Sequence, residues 1–81
     1  GGEGMDDAGV SNSHESIAEF QRAVLRQTGD IYFCLDASKI GRSTPHRVAP
    51  WPHLTALITD ATPRQLAAAG IELPSRKLLR A

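Results

Sequence analysis

Two apolar runs dominate the pattern of the chain. Ile31-Tyr32-Phe33-Cys34-Leu35 carries no charge and ends at Asp36, and Leu54-Thr55-Ala56-Leu57-Ile58-Thr59 is largely apolar and ends at Asp60. Runs of this length suit strands covered on both faces, the habit of parallel sheets, although periodicity alone does not separate them from buried helix. The expectation is two buried strands, 31–35 and 54–59, whose terminal carboxylates share one edge. In an open α/β sheet, small ligands bind in the crevice outside the carboxyl ends of the strands. The loop that follows the first run is therefore the first place to look for function.

Helical spacing brackets these strands. Ser16 and Glu19 form an S-x-x-E capping box and Gly29 stands ready as a left-handed stop, which predicts a helix from about Ser16 to Thr28. Ile17, Phe20 and Val24 fall on one side of it, expected to pack, with Glu19, Arg22 and Arg26 toward solvent. A second helix over 63–69 is predicted by Thr62 as N-cap, Pro63 at the first position, Gln65 completing a capping box and Gly70 as the stop. Between Asp36 and His53, Pro45, Pro50 and Pro52 break any long crossover helix, leaving Arg47-Val48-Ala49 as a short edge strand. Ile71-Glu72-Leu73 reads as a last short strand. Pro74 to Ala81, with Arg76, Lys77 and Arg80, reads as a solvated basic tail. Residues 1–12, with Gly1, Gly2, Gly4, Gly9, Asp6, Asp7 and Asn12, have a loop composition.

Composition narrows the function classes. At 81 residues the chain is one domain at most, with a thin core that would lean on a partner. Its 41% hydrophobic content is that of a globular piece. Nine basic and nine acidic side chains cancel, so no broad field draws in nucleic acid or an anionic membrane. No apolar stretch reaches bilayer-spanning length, and the glycine-rich, acidic start lacks the pattern of a signal peptide, which makes the cytoplasm the expected location. The start without methionine reads as a cut within a longer protein. Cys34 is the single cysteine, expected to be a small buried hydrophobe, and an internal disulfide is ruled out.

The loop Ser38 to Thr44 offers hydroxyl, charged and backbone donors to one anionic group such as a phosphate, although exposed turns share this composition. It lacks the Walker A pattern, so no nucleotide is implied. Glu3, Asp6 and Asp7 suit orienting sugar hydroxyls, acting as a general base or holding a hard cation, with solvation as the plain alternative. His14, His46 and His53 have neither i,i+4 spacing nor cysteine companions, so no metal or other cofactor is expected. Cys34 and the serines have no identifiable histidine base nearby in sequence. Trp51 between two prolines is expected to be a packing or interface residue.

Several of these residues fall into one pattern: Gly2-Glu3-Gly4-Met5, Gln21-Arg22-Ala23-Val24, the Asp36-x-Ser38-Lys39-x-Gly41-Arg42 loop, Arg47-Val48-Ala49-Pro50 and Leu57-Ile58-Thr59-Asp60. From Gly2 to about Leu73 the chain resembles the carboxy-terminal part of the effector-sensing domain of the DeoR family of bacterial sugar-metabolism repressors. The resemblance implies a Rossmann-like three-layer α/β domain similar to ribose-5-phosphate isomerase and glucosamine-phosphate deaminase. Its implied division is residues 1–73 as the sensor portion and 74–81 as the tail. It further implies a phosphorylated sugar as effector, bound and not converted, a homo-oligomer, and DNA contact through an amino-terminal winged helix-turn-helix that this chain does not include.

Carried over by position, the resemblance assigns effector binding to Glu3, Asp36, Ser38, Lys39, Gly41 and Arg42. Lys39 would meet the anionic group, and Asp36 and Glu3 would accept from sugar hydroxyls. Gln21 stands where a lysine is common and Ile40 where phenylalanine is usual, departures that bear on the grip on phosphate. Two other readings stay open: a phosphosugar isomerase-like enzyme fragment with Glu3 or Asp6 as base, and a domain that serves assembly alone.

Overall fold

A computed structural model describes residues 2–27 and 29–81. The architecture is mixed α/β, with two three-stranded sheets. The elements are β1 (Gly4–Asp6), β2 (Gly9–Asn12), α1 (Glu15–Arg26), β3 (Tyr32–Cys34), β4 (His46–Pro50), β5 (Ala56–Thr59), α2 (Pro63–Ala68) and β6 (Leu78–Arg80). The first sheet, ordered β1-β2-β4, is antiparallel, and the second, ordered β3-β5-β6, is parallel.

The two apolar runs supply neighbouring parallel strands, β3 and β5, with Phe33 opposite Leu57. They lie side by side because the chain between them crosses to the other sheet as β4, an edge strand there. Burial along β3 alternates, however: Phe33 is buried while Tyr32 and Cys34 are exposed. The expected buried thiol is therefore corrected. Successive strand side chains point to opposite faces, and at β3 only the Phe33 face is covered.

The loop expected at residues 1–12 is instead a hairpin, β1 against β2. Its apolar residues are few but decisive, since Met5 and Val10 face each other across the pair and are fully buried. Asp6 makes the turn, its Oδ1 accepting from the amides of Ala8 at 2.9 Å and Gly9 at 3.2 Å. Gly9 sits at φ +147°, and a Cβ there would lie 2.1 Å from the Ala49 carbonyl oxygen. Glycine here marks close approach of backbones, which looks like loop composition when read along the chain.

Helix α1 begins at Glu15, one residue before the expected start, and its N-cap is His14 with no side-chain cap bond, so the Ser16/Glu19 capping box does not form. Buried Asn12 fixes the entry by accepting from the His14 amide at 3.1 Å. Thr28, the expected last residue, lies outside the described residues. The packing face also differs. Ile17, Phe20 and Val24 are 46%, 69% and 47% exposed, while Ala18 is buried and Leu25, seven residues on, packs against the core. Helical spacing shows that apolar residues share a side, but the sheet contacts the flank where small Ala18 permits close approach.

Helix α2 follows the expected chemistry. Thr62 Oγ1 accepts from the Gln65 amide at 3.1 Å and Gln65 Oε1 accepts from the Thr62 amide at 2.8 Å. At its end Gly70 takes φ +75°, with its amide donating to Ala67 O and the Ile71 amide to Leu66 O, a Schellman closure. Ile71–Leu73 is consequently not a strand. The strand comes from the expected tail: Leu78–Arg80 pairs parallel to β5, with Leu78 opposite Leu57. Trp51, 6% exposed, is a packing residue whose indole Nε1 donates to Asp6 O at 2.7 Å. Among the described residues no helix is long and apolar enough to cross a membrane.

Candidate functional site at the strand ends

The chain leaves β3 through Leu35 and turns at Asp36 into a single 3-10 turn, Ala37–Lys39. Asp36 Oδ1 accepts from the Ser38 amide at 2.9 Å and from the Ser38 hydroxyl. From the end of β5, Asp60 Oδ1 accepts from the Ala37 amide at 2.7 Å. The carboxylates at the carboxyl ends of two neighbouring strands thus hold one turn between them.

The loop then docks on the other sheet. Gly41, at φ +77°, donates its amide to Met5 O at 2.8 Å, and Ile40 bridges Met5 in parallel. Gly4 makes the approach possible, because a Cβ there would lie 2.0 Å from the Arg42 carbonyl oxygen. Beyond Arg42, Thr44 is fastened to buried Ser11, its hydroxyl donating to Ser11 Oγ at 2.6 Å.

This docking brings Glu3 beside the loop. Its amide donates to Ser11 O at 2.9 Å, and its carboxylate accepts from the Ser13 hydroxyl with His14 Nδ1 3.6 Å away. The Ser13 hydroxyl is the main reason the Glu3 carboxyl ionises below its ordinary value, with the Ser13 amide, His14 and Arg42 acting in the same direction against a partial desolvation. Asp36 is lowered chiefly by the Ser38 hydroxyl and then by the Ser38 amide, with Lys39 adding a smaller pull. In Asp6, burial acts upward but is outweighed by the Ala8 amide, the Ser43 hydroxyl, the Gly9 amide and Arg47, and the net direction is down.

Of the residues singled out in the sequence, Ser38 and Lys39 share the 3-10 turn that Asp36 caps, and Arg42 follows it, a minor electrostatic influence on Glu3. Gly41 supplies the bend, and its amide is committed to Met5. A cleft of about 110 Å³ at the strand ends is walled by Asp36 and Asp60 with Cys34 and Thr59, but not by Glu3, Ser38, Lys39 or Arg42. The acidic trio does not gather: Glu3 faces Ser13 and His14, Asp6 is spent on its turn, and Asp7 lines a separate cleft beside Trp51. Among the described residues no three His, Cys, Asp or Glu side chains are grouped to hold a metal ion.

Sequence reasoning missed Ser13 and His14 as partners of Glu3. The signal lay in the hairpin register, because pairing Gly4 with Ser11 carries Glu3 toward the residues just after Asn12. No solved structure matches the chain. The DeoR C terminal sensor domain family does, over residues 1–61, a span that includes β1 through β5, the docked loop and Asp60. Three-quarters of the sequence thus carries that pattern, and the chain belongs to the DeoR C-terminal sensor domain family, the effector-sensing part of DeoR-type transcription regulators.

Proposed function

We propose that this chain senses a phosphorylated sugar within a DeoR-type transcription regulator of sugar metabolism, through a Rossmann-like layer completed by other parts of that regulator. Lys39 meets the phosphate, assisted by Arg42 and the Ser38 hydroxyl, while Glu3 and Asp36 accept from sugar hydroxyls and Gly41 shapes the turn. The observation that carries this reading is the double anchoring of loop 36–42, to Asp60 at the end of β5 and to Met5 and Gly4 of β1. Cationic and anionic groups are thereby held on one short, pinned segment, the preorganisation that small-anion recognition favours.

Effector binding changes DNA affinity by favouring one arrangement of a homo-oligomer over another, which requires unequal affinity for the two states. DNA itself is read by a winged helix-turn-helix elsewhere in the regulator. The three carboxylates whose ionisation is displaced, Glu3, Asp6 and Asp36, are all displaced downward. A general acid or base working near neutrality is usually tuned upward, so these groups suit binding better than isomerisation.

Calorimetric titration of the full-length regulator with a panel of sugar phosphates tests the proposal. Binding by at least one, weakened about tenfold or more in Lys39→Ala with an unchanged melting temperature, is expected from loss of one charge-assisted bond. Binding by none, or equal binding by the variant, overturns the site. Aldose–ketose turnover of a bound sugar phosphate would overturn the regulatory reading in favour of an enzyme.

A further inference from the structure

At the opposite end of β3 and β5 lies a larger cleft, of about 480 Å³. Its ionisable lining residues are Arg22, Arg26, Arg47 and His53, and its apolar lining is Leu25, Ile31 and the β4 segment 48–50. Among the described residues no acidic side chain lines it, although the chain as a whole is neutral. Ile31 precedes β3 and His53 precedes β5, so the cleft opens at the amino ends of the strands whose carboxyl ends carry Asp36 and Asp60. At 3.3 Å per residue, roughly 16 Å of chain separates Ile31 from Asp36.

Half-buried Arg22 is pinned there, its Nη1 donating to the Arg47 carbonyl at 2.6 Å. Among the described residues no carboxylate stands within ion-pair distance of Arg22, Arg26 or Arg47. A partly desolvated guanidinium held by a carbonyl still lacks a counter-charge, and an anion entering beside it would supply one. The volume falls within the range of small-molecule pockets, and the apolar wall adds a contact that a bare inorganic anion would not use.

We propose that this cleft is a second binding site, for a small organic anion with an apolar body such as an aryl phosphate, separate from the strand-end loop. Amide NMR titration of the full-length regulator with phenyl phosphate tests it. Saturable shifts are expected at Leu25, Ile31, Val48 and Ala49, with weaker binding of inorganic phosphate and about tenfold weaker phenyl phosphate binding in Arg26→Gln or Arg22→Gln. Lys39→Ala should leave these shifts unchanged, which keeps the outcome independent of the strand-end site. Absence of saturable shifts at these amides, shifts confined to residues 36–42, or unaltered affinity in both arginine variants overturns the proposal.

Discussion

Replacing Gly4 with alanine would drive a methyl group into the backbone of the strand-end loop. The new Cβ would lie 2.0 Å from the Arg42 carbonyl oxygen, 2.9 Å from its carbon and 3.2 Å from its Cβ. The two nearest atoms are main chain, so no rotamer change relieves the clash, and β1 and the loop must separate. Overpacking of this kind costs about 1–3 kcal/mol, and loss of the Gly41 amide bond to Met5 adds about 1 kcal/mol. The smaller entropy of an unfolded chain with alanine returns about 0.4–1 kcal/mol. The net expectation is a destabilisation of about 1–4 kcal/mol, a lowering of the melting temperature by roughly 4–30 °C for a domain of this size. Urea unfolding followed by circular dichroism measures it. Gly29→Ala is the internal control, since a Cβ there meets nothing within 4 Å. If Gly4→Ala proved as stable as that control, the loop would not be docked on β1 and the candidate site would lose its geometry.

Asp60→Ala should cost about 1 kcal/mol and speed hydrogen exchange at the Ala37 amide, with Asp60→Asn, which keeps an acceptor, near wild type; equal exchange in both variants would remove Asp60 as the anchor. Phe20→Ser should change stability by less than about 0.5 kcal/mol because the ring is exposed, whereas a loss near 3 kcal/mol in urea unfolding would mean that the ring packs as its helical spacing suggested. Glu3, Asp6 and Asp36 have folded-state values below their ordinary 4.5, 3.8 and 3.8, so their stabilisation is present above those values and lost as pH falls through the lower folded ones. Carboxyl NMR titration should show these three midpoints below the ordinary values, with Ser38→Ala moving Asp36 back upward; an unmoved Asp36 midpoint would refute the assigned cause.

What could be read along the chain was chemistry that closes on itself within a few residues. Thr62, Pro63, Gln65 and Gly70 determine the start and stop of α2 by local bonds, and each apolar run supplies part of a strand, β3 and β5. The Asp36–Arg42 loop was visible for the same reason. What escaped depends on partners distant in sequence. Met5 and Val10 are an apolar pair only after the hairpin folds, and Leu78 is a strand residue only because Leu57 lies opposite. The side of α1 that packs is chosen by the sheet beneath it, which periodicity does not encode, so Phe20 is outside and Ala18 inside. Ser13 and His14 became visible beside Glu3 through the same hairpin register, not through any motif.

The indole of Trp51 joins two parts of the molecule, so any change of domain shape that moved one against the other would be felt at this ring. Buried and bonded to the Asp6 carbonyl, this lone tryptophan sits where the hairpin turn meets the segment leading into β5. Its emission is therefore a built-in optical gauge: a loosened seam would admit water and shift the spectrum to the red, and a tightened one would leave it blue, with no label attached.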